Sequence, residues 1–467
     1  MLFSSIIFVF YFLPIVTFAY YAIPQKHQSA RNIALLIASL IFYGWGEPVY
    51  ILLMIYSIFF NYFMAHRIAL AQRSGGSGKS DLVFTVVINL FILGFFKYFG
   101  FLMDTVSAIF HVKIGYTALA LPIGISFYTF QAMSYIFDVY KGTVKPQKNP
   151  LKFGLYLSFF PQLIAGPIVR YRDIEEQIDN RTMSFVKFSD GIKRFIFGLG
   201  KKVLLANNLG AIYATVTALP DGKATVLTYW IGIIAYTFQI YFDFSGYSDM
   251  AIGLGRMFGF EFMENFNYPY ISKTITEFWR RWHMSLSSWF KEYVYIPLGG
   301  NRVPVKRHIL NLLIVWGLTG LWHGAHWNFV LWGLYFGVFL ILEKYVWGEK
   351  IAKLPPWAQH VYALFIVVIS WVIFSITDFS KMISYLGVMF GIGGHAFANY
   401  ETLYLIKINL VLFIVSAICS TPQPMAKFRS VEDRLGGYGI AAIFAVFVLS
   451  VAYLVYGSYN PFLYFRF

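Results

Sequence analysis

A histidine inside a long apolar stretch is the strongest candidate for chemistry in this sequence. His323 lies in LWHGAHWNF, between an apolar run that begins at His308 and a second apolar run that follows at once. The first run would be about 22 Å long as a helix, so a start at a membrane interface places His323 well inside the bilayer. An ionisable side chain at that depth is a functional candidate because leaving it in lipid is costly. A neutral, hydrogen-bonded histidine packed between helices is the alternative.

Two other histidines are also candidates for a functional or metal-binding role. His326 follows His323 by three positions, a spacing that helical metal ligands use. No cysteine or carboxylate nearby supplies a third ligand, so the sequence predicts no metal site. His283 lies at the end of a predicted interfacial helix within a charged and aromatic segment, where it is either a polar anchor or a functional residue.

Two carboxylates also lie next to sequence of membrane depth. Asp243 and Asp249 occur in QIYFDFSGYSDMAIG. Unpaired anions are expensive there, so each needs a partner. We expect them to pair with a buried arginine or to cap broken helices rather than to act directly in catalysis.

Hydrophobic stretches that are long enough to cross a bilayer must position these residues. The chain is 58% hydrophobic and 13% charged. It contains about twelve apolar spans of ~15 to 24 residues, which predict an all-α polytopic membrane protein with one membrane-embedded domain over residues 1–467. The spans lie near 2–23, 32–46, 48–64, 82–101, 116–139, 203–219, 225–243, 308–323, 325–343, 360–377, 402–419 and 437–457.

Three segments do not fit as plain spans. Residues 153–169 are interrupted by prolines and a glycine, and residues 244–260 carry an aspartate and several glycines. Broken backbone at membrane depth requires protein or a watery cavity around it, so both predict re-entrant segments that line a cavity. Residues 270–307 mix aromatic and basic side chains, which predicts interfacial helices. The tryptophans that would anchor these helices are Trp279, Trp282 and Trp289.

The net charge of +15 indicates membrane topology rather than nucleic-acid binding. Lysine and arginine cluster between the apolar runs, where they contact anionic membrane lipids and set the orientation. The positive-inside rule then assigns both termini to the extracytoplasmic face of a bacterial inner membrane. It assigns the loop at residues 74–80 to the cytoplasm.

Five sequence runs within residues 120–340 form a distinctive set. They are LPIGISFYTFQAMSYIFDVY, FFPQLIAGPIVR, YFDFSGYSDMAIGLGRMFGF, ENFNYPYISKTITEFWRRWHMSLSSWFKEYVYIPLGGNR and LTGLWHGAHWNFVLWG. Through these runs, the chain resembles the membrane-bound O-acyltransferase (MBOAT) superfamily over most of residues 120–340. The resemblance is to its bacterial branch that acylates envelope polymers, which acts on alginate, peptidoglycan or teichoic acid. It implies that the core catalytic region is residues 120–340 and that helices surround a central tunnel.

The resemblance also implies roles for individual residues. His323 matches the family's near-invariant histidine, and His283 matches a second polar position upstream. Acetyl-CoA in the cytoplasm would supply an acetyl group, and His323 would act as general base toward a hydroxyl of an extracytoplasmic polysaccharide. A periplasmic SGNH-type transferase or esterase would be the partner. The candidate contacts for the CoA phosphates are Lys273, Arg280, Arg281 and Arg302.

The aromatic tail at residues 458–467 has two interpretations. It could anchor the last span at the membrane interface, as aromatic belts do. Relatives of similar function carry an aromatic C-terminal motif with a tyrosine, which matches Tyr464, and this implies an O-acetyl-tyrosine relay. Acylation of a lipid or protein, and transport through broken helices, are the alternative functions of the whole chain.

Overall fold

Helices make up the regular structure of the protein. The computed structural model describes residues 1–117, 119–164, 166–220, 223–457 and Leu463, apart from the side chains of residues 432–435. Within these ranges every regular element is a helix, which confirms the predicted all-α class. Tyr464 lies outside the described residues.

Contacts group the chain into two units. The first unit comprises Met1–Phe195 and Ser248–Glu264, and the second comprises Ile196–Tyr247 and Asn265–Phe467. The single domain predicted over residues 1–467 stays a prediction. The first unit holds α1 (Leu13–Ala22), α2 (Gln28–Gly46), α3 (Ile51–Arg73), α4 (Lys79–Phe110), α5 (Ile125–Tyr140), α6 (Pro150–Ser158), α7 (Phe160–Leu163), α8 (Tyr171–Asn180) and most of α9 (Phe185–Gly200).

The second unit contains the remaining helices, with part of α11 belonging to the first unit. They are α10 (Asn207–Thr217), α11 (Val226–Met257), α12 (Ile275–Arg281), α13 (Met284–Phe290), α14 (Val305–His323), α15 (Trp327–Leu342), α16 (Gly348–Ala352), α17 (Pro356–Ser375), α18 (Phe379–Met389), α19 (Tyr400–Cys419), α20 (Gln423–Leu435) and α21 (Gly437–Tyr456). Short π-helical stretches join α9 to α10 and α15 to α16.

Several helices are suited to crossing a membrane. Among the described residues, seven helical stretches are long and apolar enough to do so, which confirms a polytopic membrane protein. The other predicted spans coincide with the shorter helix at Phe8–Ala22 and with α2, α5, α11 and α14. The number of spans therefore stays a prediction. The seven stretches are Ile51–Arg73, Lys79–Phe110, Phe185–Thr217, Trp327–Ala352, Pro356–Ser375, Tyr400–Cys419 and Gly437–Tyr456.

Only one of the two segments predicted to be broken is broken. The helix in residues 153–169 stops at Ser158 and resumes at Phe160, as expected. The prediction for residues 244–260 is wrong, since α11 continues without interruption to Met257.

The glycines of α11 allow close packing instead of breaking the helix. A Cβ atom on Gly253 would lie 2.6 Å from the carbonyl oxygen of Gly191, and one on Gly246 would lie 2.7 Å from that of Gly198. Small residues at such contacts let helix backbones approach closely, as they do in membrane proteins. The glycine pattern was therefore a packing signal.

The tryptophans expected at the membrane interface are buried in the second unit. Trp282 packs on Trp371 with ring centroids 5.0 Å apart, and Trp279 packs on Trp316 at 4.4 Å. Trp289 is also buried. These rings form core contacts, so the prediction that they serve as interfacial anchors is wrong.

Both aspartates next to membrane-depth sequence have cationic partners. Asp249 accepts hydrogen bonds from Arg194 at 3.0 and 2.8 Å, and Arg194 also pairs with Glu264. This confirms the expected pairing of Asp249 with an arginine. Asp243 instead pairs with the buried amine of Lys202 at 2.5 Å.

Candidate active site

His323 is held at the tip of a tightly packed helical hairpin. A Cβ atom on Gly320 would lie 2.2 Å from the carbonyl oxygen of Phe329, and one on Gly333 would lie 2.2 Å from that of Trp316. The backbones of α14 and α15 are therefore in direct contact, which fixes the end of α14. His323 is the last residue of that helix.

His326 does not share a helix with His323. It is exposed and precedes the first residue of α15, while α14 has already ended. The spacing of three residues therefore does not place the two rings on one helical face. A helical metal-ligand pair at these two positions is therefore absent from the structure.

The imidazole of His323 lies among aromatic rings. The residue is 2% exposed. Ring centroids of Trp332, Trp322 and Phe374 lie 4.9, 5.0 and 5.5 Å from it, each at a steep interplanar angle. Such walls exclude bulk water, so charge that develops on the imidazole is weakly screened and any polar partner acts strongly.

A buried carboxylate holds the start of the segment that leads to His283. Glu343 accepts hydrogen bonds from the backbone N–H groups of Ile275 at 2.6 Å and Thr276 at 2.9 Å, and from the Thr276 hydroxyl at 2.7 Å. These are the first residues of α12, whose unpaired N–H groups favour a negative charge. Glu343 thus fixes α12 within the second unit.

His283 occupies an unusual backbone conformation between α12 and α13. Its φ is 43°, in the left-handed region that residues other than glycine rarely adopt. The backbone N–H of the next residue, Met284, donates to the carbonyl oxygen of Asn265 at 2.9 Å. The surrounding contacts thus hold the strained turn, as is common at functional sites.

The structure brings His283 and His323 together. Their ring centroids are 6.5 Å apart. His283 is fully buried, and Phe244 packs edge-on against it at 4.6 Å. Its Nδ1 lies 3.1 Å from Oδ1 of Asn265, and its Nε2 has no hydrogen-bond partner among the described residues. The two imidazoles therefore lie close together in the same buried region of the second unit.

His283 is a neutral base in this environment. It lies outside the seven apolar stretches described above. Burial lowers the pKa of His283 well below its usual range, and the nearby His323 lowers this pKa further. A neutral imidazole retains a lone pair, which is what proton abstraction from a hydroxyl requires.

Three of the four cations considered for CoA binding have exposed side chains. They are Lys273, Arg280 and Arg302. Arg281 is half-buried, pairs with Glu277 at 2.9 Å and donates to the carbonyl oxygen of Asn267 at 3.1 Å. Its charge is therefore partly satisfied within the protein. Contact between these cations and CoA stays a prediction.

The C-terminal tail reaches the interior of the second unit at one described residue. Leu463 is 8% exposed, and its backbone N–H donates to Oδ2 of Asp243 at 3.1 Å. The residue that follows, Tyr464, lies outside the described part of the chain. Sequence reasoning did not predict this role of Asp243.

Asn265 and Glu343 were also missed from the sequence. Asn265 occurs in ENFNYPY, where an amide among aromatic residues was the available signal. Glu343 lies at the end of the apolar run of α15, where its acidic side chain interrupts the hydrophobic pattern. The residues that Asn265 and Glu343 contact are distant from them in the sequence, so neither local signal predicted a contact.

The chain is similar in sequence to several acyltransferases. The model of the membrane-bound O-acyltransferase family, MBOAT, matches residues 147–388, which include both histidines. The chain is 39% identical to the probable alginate O-acetylase AlgI of Azotobacter vinelandii over the full length of both proteins. It is 34% identical to a peptidoglycan O-acetyltransferase of Helicobacter pylori, over 84% of this chain and 80% of that protein.

A more distant relative transfers a different acyl group. The chain is 29% identical to a teichoic acid D-alanyltransferase of Bacillus subtilis, over 50% of this chain and 62% of that protein. The match to the family model and the full-length relatives lead to one conclusion: this polytopic membrane protein belongs to the membrane-bound O-acyltransferase family.

Proposed function

We propose that the protein moves an acetyl group from cytoplasmic acetyl-CoA across the membrane to hydroxyls of an extracytoplasmic polysaccharide. The acceptor is an alginate-like exopolysaccharide or peptidoglycan. The observation that carries the proposal is the pair of buried imidazoles, His283 and His323, 6.5 Å apart within the matched family region. The O-acetyltransferase relatives support the acetyl donor and the polymer acceptor.

In the proposed reaction, His323 removes the proton of the attacking hydroxyl. The hydroxyl oxygen bonds to the acetyl carbonyl carbon, the thioester C–S bond breaks, and the CoA sulfur leaves with a proton from the site. A neutral hydroxyl is a poor nucleophile, so this base supplies much of the rate. The aromatic rings around His323 support the role because they keep out water that would hydrolyse the thioester.

Tyr464 is the proposed first acceptor of the acetyl group. Its phenol would lose its proton to His323 and receive the acetyl group as an O-acetyl-tyrosine, from which the periplasmic partner takes the group for transfer to the polymer. A phenolate is a better leaving group than an alkoxide, so the aryl ester is a competent donor. The burial of the preceding residue, Leu463, against Asp243 supports a tail that enters the protein interior.

The two membrane faces have different proposed tasks. Cationic side chains contact the CoA phosphates on the cytoplasmic face, and both termini lie on the extracytoplasmic face of the bacterial inner membrane. A periplasmic SGNH-type transferase or esterase receives the acetyl group and places it on the polymer. Several positive charges on the donor side favour the binding of a polyanionic cofactor. The cations proposed for this role are Lys273, Arg280, Arg281 and Arg302.

Mass analysis of envelope polysaccharides tests the proposal. A deletion strain should lose O-acetyl groups on one polysaccharide, and expression of the intact chain should restore them. A deletion that changes acylation of lipids or proteins and leaves every polysaccharide unchanged would contradict the proposed acceptor.

A further inference from the structure

The side chain of Asn265 contacts three donors in the turn that carries His283. Its Oδ1 lies 3.1 Å from Nδ1 of His283, 3.2 Å from the backbone N of Ser285 and 2.9 Å from the Ser285 hydroxyl. Asn265 and His283 are both buried. One amide oxygen therefore organises the whole turn.

These contacts identify the protonated nitrogen of His283. A backbone N–H is always a donor, so the Asn265 atom facing Ser285 must be the amide oxygen and not the amide nitrogen. An amide oxygen only accepts hydrogen bonds. The Nδ1 of His283 must then carry a hydrogen, and in a neutral ring the lone pair resides on Nε2.

The surroundings of His283 leave that lone pair available. Phe244 from α11, Phe266 and Trp322 pack on the ring, and none of these side chains titrates. His323 on α14 is the titratable group that faces it. Nε2 of His283 is buried and has no hydrogen-bond partner among the described residues.

We propose that Asn265 is a positioning residue that locks His283 in the Nδ1–H tautomer, so that the lone pair on its Nε2, and not an N–H group, is available to stabilise the protonated His323 nearby. This inference rests on the proposed function, in which His323 takes the hydroxyl proton and becomes positively charged. A lone pair beside that cation stabilises it, whereas an N–H group in the same place would oppose it. Asn265 thus acts on the reaction through His283, as the third member of a catalytic triad acts through its histidine.

Replacing Asn265 with aspartate tests the lock with almost no change in shape. A carboxylate beside Nδ1 favours the imidazolium and raises the pKa of His283, which places a second hydrogen on Nε2. In vesicles containing the purified protein, Asn265→Asp should reduce acetyl transfer about tenfold for each unit that the pH lies below the raised pKa of His283, because each such unit lowers the neutral fraction tenfold. Activity should recover as the pH rises above the raised pKa.

Two comparisons separate this effect from a folding defect. Ser285→Ala removes a hydroxyl that donates to the same oxygen and lies 3.4 Å from Nδ1 of His283, but it leaves the shorter contact of that nitrogen with Asn265 Oδ1, so it should keep the parent pH profile. Recovery at alkaline pH is not expected of a misfolded protein. The proposal would be overturned if Asn265→Asp kept the parent pH profile. It would also be overturned if the variant folded normally and alkaline pH did not restore its acetyl transfer.

The tautomer itself can be read without any activity. In protein labelled with 15N-histidine, the signal that disappears in His283→Gln should show the hydrogen on Nδ1. A hydrogen on Nε2 would refute the lock even if acetyl transfer proceeds. An intact lock in a parent protein that transfers no acetyl group would instead refute the proposed function.

Discussion

Replacing His323 with alanine is expected to lower acetyl transfer by about 10²- to 10⁴-fold, the usual contribution of a positioned general base. The reason is that His323 takes the hydroxyl proton in the proposed reaction, whereas the neighbouring His283 only stabilises the charge that forms on it. Release of free CoA thiol by purified protein in vesicles measures the effect. Membrane insertion should be retained, because the close backbone contacts of α14 with α15 at Gly320 and Gly333 do not involve the His323 side chain.

His326→Ala is the matched control for this variant. His326 is three residues away, but it is exposed and lies just before the first residue of the next helix. The same removal of an imidazole there should leave transfer near the parent rate. Full activity of a well-folded His323→Ala protein would refute the assignment of His323 as general base.

Tyr464→Phe is expected to abolish acetylation of the polysaccharide while the protein remains well expressed. The change keeps the aromatic ring and removes the hydroxyl that would carry the acetyl group. The contact of the tail with Asp243 is made by the backbone N–H of Leu463, so the substitution leaves that contact in place. Mass analysis of the polymer and of the C-terminal peptide, with and without donor, measures both the product and the acetyl-tyrosine.

Tyr456→Phe provides the control for losing a tyrosine hydroxyl near the C-terminus. Tyr456 is highly exposed at the end of α21, and the variant should acetylate the polymer normally. Normal acetylation by Tyr464→Phe would exclude the relay and return the tail to a role as membrane anchor. Loss of polymer acetylation in both variants would mean that the substitutions disturb the structure of this region, and it would contradict a specific role of the Tyr464 hydroxyl.

Some of this site could be predicted from residue types alone. An ionisable group inside an apolar run is conspicuous because burying it is costly, so His323 stands out without a structure. His283 does not, since its burial depends on a left-handed turn and on Asn265, 18 positions away. Such contacts between distant residues leave little trace in local spacing.

The wrong predictions have a shared physical cause. Aromatic residues interleaved with cations are typical of a membrane interface, yet Trp282 is buried because Trp371 on α17 packs against it. Glycines in an apolar run suit a broken helix and a close helix contact equally well. In α11 the glycines make a close helix contact, because the neighbouring helix α9 packs against Gly253 and Gly246. A local sequence pattern does not identify the segment that packs against it, and that packing determines which of the two structures forms.

The most direct measurement uses vesicles that contain the purified protein in one orientation, with acetyl-labelled CoA on the cytoplasmic face only. An acceptor polysaccharide and its periplasmic transferase are enclosed on the other side. The labelled acetyl group should appear on the enclosed polysaccharide while CoA stays outside, and His323→Ala should prevent this. Entry of intact acetyl-CoA, or label found only on lipid or protein, would contradict transmembrane O-acetyl transfer to a polymer.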